Sequence, residues 1–159
     1  MRTAKHLYII LIICVAKSQP VAYVSPGVSL SYNLSGSFVI SPKISFGLYQ
    51  HRAFYNLTFG ASFSPQAQSY PHTFGEIQFG ALTPPSSWRK LQLFYGGGVG
   101  MTVPSKKNEP ITPRFTFFTG NMVFLNVNVL LLDTTQSEIG TEFVLPIPMS
   151  HQSIGSIGG

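Results

Sequence analysis

From Gly27 onward this chain alternates large apolar residues with small or polar ones at a period of two, and neither set carries the charge that a water-facing surface needs. Successive side chains of a strand point to opposite faces, so the alternation describes strands with two chemically different sides. In Gly27 to Leu34, Val28, Leu30, Tyr32 and Leu34 oppose Gly27, Ser29, Ser31 and Asn33. In Ala53 to Phe63, Tyr55, Leu57, Phe59, Ala61 and Phe63 oppose Phe54, Asn56, Thr58, Gly60 and Ser62. The same grammar covers Ser37 to Gln50, Thr73 to Leu82, Lys90 to Val103, Arg114 to Thr119, Met122 to Leu132 and Glu138 to Ile147, which makes about eight strands. Pro42 removes a donor in mid-strand and predicts a bulge or an unpaired position there. No segment outside the N-terminal stretch has helical periodicity.

Alternation alone fits both a barrel with a greasy interior and one with a greasy exterior. Charge separates them. Charged residues make up 9% of the chain, against about 25% in ordinary soluble proteins, and the second face is mostly Ser, Gly, Thr, Asn and Gln. The expected fold is all-β: a single closed antiparallel up-and-down β-barrel of about eight strands, with the small face filling a narrow lumen. Closure leaves no strand edge unpaired. The strand charges Lys43, Glu76, Arg114, Glu138 and Glu142 all fall on the small face, so they are expected to form a charge network in the lumen.

The N-terminus has a different character. Arg2, Lys5 and His6 precede an apolar run from Leu7 to Ala16, the layout of a secretory signal peptide and too short for a spanning helix. The expected organisation is a signal peptide over 1–18, a barrel over 19–149 and a tail over 150–159. Cleavage before Gln19 removes the one cysteine and takes Arg2, Lys5 and Lys17 from the ten Lys+Arg, leaving seven against five Asp+Glu, a net charge of +2 in place of +5. Without a cysteine the mature chain has no disulfide. Basic character outside the signal reduces to Lys106-Lys107, which reads as a loop tip, so no nucleic-acid partner is expected. His51, His72 and His151 lack zinc-ligand spacing, and no metal or other cofactor is expected. Gly96-Gly97-Gly98-Val99-Gly100 lies in a strand pattern without the helix and Lys-Ser/Thr of a phosphate loop, and reads as a close-packed wall.

In this strand grammar the chain resembles the small eight-stranded outer-membrane proteins of Gram-negative bacteria over roughly Val21 to Met149. The resemblance implies a non-catalytic barrel in the outer membrane with a structural, adhesive or binding role through its outer loops. Its partners would be the lipid bilayer and lipopolysaccharide, with an extracellular ligand unidentified. It also implies periplasmic turns at Gln50 to Arg52, Thr83 to Lys90 and Thr119 to Asn121, and outer loops at Ser64 to His72, Pro104 to Pro113 and Asp133 to Ser137. Tyr23, Tyr49, Tyr70, Trp88 and Tyr95, near strand ends, are candidates for interfacial girdles. The tail from Ser150 to Gly159 departs from the family, whose chains commonly end on an aromatic strand residue. Two other readings stay open: a periplasmic or secreted soluble β-barrel that binds a hydrophobic ligand, and a membrane hydrolase. The latter rests on His151-Gln152-Ser153, which is similar to the His-x-Ser pair of the eight-stranded lipid A deacylases, with Glu142 or Glu138 as the carboxylate.

Overall fold

The structure is a computed structural model that describes residues 20–66, 71–84, 92–105, 109–132 and 134–149. The expected signal peptide, the tail with His151 and Ser153, and Tyr70, Trp88, Lys106 and Lys107 lie outside the described residues.

Nine strands form one antiparallel sheet: β1 (Val21–Asn33), β2 (Phe38–Gln50), β3 (Ala53–Ser62), β4 (His72–Leu82), β5 (Phe94–Pro104), β6 (Thr112–Gly120), β7 (Val123–Leu130), β8 (Glu138–Val144) and β9 (Ile147–Pro148). Each strand from β1 to β8 pairs with the next, and β8 and β9 both pair with β1, which also pairs with β2. The sheet is therefore closed on itself as an eight-stranded barrel. β8 and β9 are two pieces of one wall strand. Gly27 faces Val144 and Val24 faces Ile147, the same register on both pieces. The interruption has a cause: Pro26 accepts a bond from the Leu145 N–H at 3.0 Å but has no N–H to return.

Pro42 acts in the same way on the other side of β2. Ile40 and Phe63 exchange two backbone hydrogen bonds at 2.8 and 2.9 Å, and pairing resumes at Lys43 opposite Gly60 in an unchanged register. Of the two outcomes expected at Pro42, the unpaired position is the one found.

Register fixes the barrel's shape. Ala22 faces Leu48, and the row continues through Tyr55, Phe79, Gly97, Phe117, Val127 and Ile139 to Tyr32. One circuit thus returns to β1 at Tyr32 rather than Ala22, a stagger of ten residues. With a rise of about 3.3 Å per residue and strands about 4.8 Å apart, that stagger tilts the strands by about 40° and sets a backbone radius of about 8 Å. Such a barrel has room for side chains and little more.

Strand limits differ from the sequence reading at several places. β1 begins at Val21, because Pro26 sits where its missing donor meets the gap after β8. β5 begins at Phe94 and not Lys90, and β6 runs Thr112–Gly120, longer than the Arg114 to Thr119 segment expected.

Glycine is required where the wall closes tightly on the inside. A Cβ on Gly100, which faces inward on β5, would collide with the carbonyl oxygen of Gly75 and the backbone of Glu76. Gly75 faces outward, and a Cβ there meets only the Phe59 ring at 3.4 Å. Gly100→Ala is expected to cost about 1–3 kcal/mol through forced backbone shifts, whereas Gly75→Ala stays within about 0.5 kcal/mol. Denaturant midpoints of the two variants measure the contrast.

Candidate functional site

A folded barrel offers chemistry in two places, its lumen and its wall. In this one the usual distribution is reversed. Ser29, Ser31, Ser41, Ser45, Thr58, Thr116, Asn126 and Asn128 are buried, while Leu48, Tyr55, Leu57, Phe59, Ile77, Phe79, Phe117, Leu125 and Ile139 are exposed. Thr58 has no exposed surface at all, and Ile77 has 60% of its surface exposed. Parity produces this result: odd residues of β1 and β2 and even residues of β3 to β8 point inward, and most of these are small or polar.

The five strand charges all lie in the lumen. Lys43 on β2 pairs with Glu142 on β8 at 2.5 Å, and both side chains are buried. Asn126 donates to the same carboxylate at 3.4 Å and to Ser29 at 2.8 Å. Arg114 on β6 faces Glu76 on β4, Nε to Oε2 3.5 Å, and its guanidinium lies 4.2 Å from the centre of the Phe74 ring. Glu76 also accepts from Gln78 at 2.5 Å and Thr116 at 2.6 Å. Glu138 accepts from Asn128 at 3.0 Å and Ser31 at 3.3 Å.

These contacts join into one line. The Tyr23 hydroxyl donates to Asn56 and Asn56 to Gln78; Gln78 reaches Glu76, Thr116 links Glu76 to Asn128, and Asn128 reaches Glu138. Apart from Gln78 and Glu76, which share β4, the linked members stand one or two strands apart along the inner wall. Buried polar groups of this kind are stable only when paired, so the line fills the lumen with bonded side chains and ties the wall strands to one another.

The end of the barrel that carries the connections at 51–52, 83–93 and 121–122 has a different lining. There Tyr49, Phe54, Phe94, Phe118 and Phe124 stack inside the barrel with ring centres 5.7 to 6.4 Å apart, the spacing of favourable edge and offset ring pairs. The small-face reading missed this aromatic seal, although Phe54, Phe118 and Phe124 share the parity of the small residues beside them. Tyr23 and Tyr49 belong to this interior and not to an outer girdle: Tyr23 is buried and bonds Asn56, and Tyr49 packs on Phe94. Tyr95 does face outward.

Among the described residues no group of three or more His, Cys, Asp or Glu side chains is placed to hold a metal ion. Glu138 and Glu142, the carboxylates considered for a hydrolase, are engaged with lumen partners as above.

No protein-family model matches the chain, and no curated protein does. Among solved structures the chain is similar to one titled "De novo design of transmembrane beta-barrels", with a TM-score of 0.47 and 13% identity, over 77% of this chain and 95% of that one.

Proposed function

We propose that this chain is a non-catalytic β-barrel of the bacterial outer membrane, acting through its outer loops in a structural, adhesive or binding role. The reading is carried by the belt from Leu48 through Tyr55, Phe79, Phe117, Val127 and Ile139 to Tyr32, large apolar side chains directed outward along a row that climbs once around the wall. Monomeric soluble proteins rarely expose contiguous apolar patches beyond a few hundred Å², and acyl chains are the medium such a belt matches. Strand length supports it too: 13 residues in β1, tilted by about 40°, cover about 30 Å along the axis, near the thickness of a bilayer's hydrocarbon.

Orientation is taken from the outer-membrane pattern of longer loops outside, which 63–71, 105–111 and 131–137 follow against the two-residue turns 51–52 and 121–122, with 83–93 and 34–37 as the exceptions. The end with the connections 51–52, 83–93 and 121–122 faces the periplasm, and the end with 34–37, 63–71, 105–111 and 131–137 faces out. A soluble carrier of a hydrophobic ligand would hold that ligand inside, and a lumen crowded with Ser, Thr, Asn and ion pairs disfavours it.

Cell fractionation tests the proposal. The protein is expected in the outer-membrane fraction, to need detergent for extraction, and to migrate differently on gels before and after heating. Recovery in periplasm or medium without detergent refutes it. In planar bilayers the aromatic seal predicts no sustained conductance.

A further inference from the structure

We propose that the turn Thr134–Gln136 is a lid over the loop-side mouth of the lumen, latched by Gln136 on His72, and that the lumen exchanges with solvent only when this latch opens. The latch spans the barrel. Gln136 lies in the connection between β7 and β8, whereas His72 opens β4, and β4 and β8 stand four places apart in a ring of eight, on opposite sides. His72 Nε2 and Gln136 Oε1 are nevertheless 3.2 Å apart, so the turn leans across the opening.

The burial of His72 agrees. The first residue of a strand at the rim of a barrel would ordinarily be open to water, yet His72 is 6% exposed. The lid is anchored at its back: Leu34 N–H donates to the Ser137 carbonyl at 2.9 Å, Ser35 N–H to the Thr135 carbonyl at 3.1 Å, and Leu130 N–H to the Ser137 hydroxyl at 3.0 Å. The front of the lid is held by the Gln136 contact.

Polar groups lie beneath it. Among the described residues the Thr102 hydroxyl is buried and has no hydrogen-bond partner, and the Arg114 Nε meets Glu76 only at 3.5 Å, outside hydrogen-bond geometry. Thr102 is paired with Phe74 and Thr112 on the neighbouring strands, two register steps from Arg114 opposite Gly100. Buried hydroxyls and guanidinium N–H groups are rarely left unmet, so solvent is the natural partner for both. The aromatic seal closes the opposite end, leaving the lid side as the route by which solvent reaches them.

The test places a thiol under the lid. In a Cys14→Ser background, Thr102→Cys is reacted with a small water-soluble methanethiosulfonate while the barrel is folded in detergent micelles, so the outcome does not depend on the membrane assignment. Gln136→Ala removes the latch, and Gln136→Leu removes the hydrogen bond while keeping side-chain bulk. Unchanged heat-modifiable migration confirms that each variant is folded. Both substitutions are expected to speed modification about fivefold, the population shift that follows from loss of one net hydrogen bond. Equal rates with and without the latch, whether fast or nil, overturn the lid.

Discussion

An Ile77→Arg chain is expected to fold poorly into lipid vesicles, losing about 2–4 kcal/mol against the parent, the cost of an arginine on the lipid face near the bilayer midplane. Ile77 faces outward from the middle of β4, between Leu57 on β3 and Val99 on β5. The same substitution at Tyr32, exposed and one residue from the end of β1, is expected to cost only about 0–1 kcal/mol because the guanidinium reaches the interface. Urea titrations in thin-bilayer vesicles give both numbers. In a barrel surrounded by water neither change would exceed about 0.5 kcal/mol, so equal and small effects would refute the membrane reading. The comparison uses depth as its internal control, which a general loss of foldability would not reproduce.

Glu142→Leu is expected to cost about 3–5 kcal/mol, because it leaves the Lys43 ammonium buried without its counter-charge. Both side chains lie in the lumen, 4% and 9% exposed, so water screens the pair little. Lys43→Met combined with Glu142→Leu should recover most of that loss, since replacing both members of a buried pair with apolar groups of similar size is often neutral or stabilising. Asn126 limits the recovery: it also donates to the Glu142 carboxylate, though it keeps its bond to Ser29. A double-mutant cycle isolates the coupling. Additive single effects, with no coupling between positions 43 and 142, would show that the pair does not hold the lumen together.

The fold was largely legible from the residues, because period two survives in nearly every strand and so few charges interrupt it. Leu57, Phe59 and Val127 outside, with Ser45 and Gly98 inside, follow from that alternation once charge has decided which face meets water. Three features were not legible, each for a physical reason. The start of β1 was read at Gly27, whereas in the barrel the strand runs back through Pro26 to Val21, and the proline's missing N–H falls where β8 breaks before β9. The aromatic seal was hidden because alternation assigns a side chain to a face but not to a height, and Phe54, Phe118 and Phe124 meet only after the stagger brings their strand ends level. Cross-lumen partners were hidden likewise. The face of Lys43 is written in its strand, whereas its partner two strands away on β8 depends on the number of strands and the stagger together.

The continuity of register around the wall makes the barrel unforgiving in one respect and permissive in another. One residue inserted within a strand would turn every later side chain of that strand inside out, sending serines into hydrocarbon and phenylalanines into a filled core. The connection that follows Phe63 and leads to β4 lies outside that constraint, since lengthening a connection shifts no strand pairing. In the orientation proposed for the barrel, foreign peptides grafted there should reach the cell exterior on an unaltered scaffold.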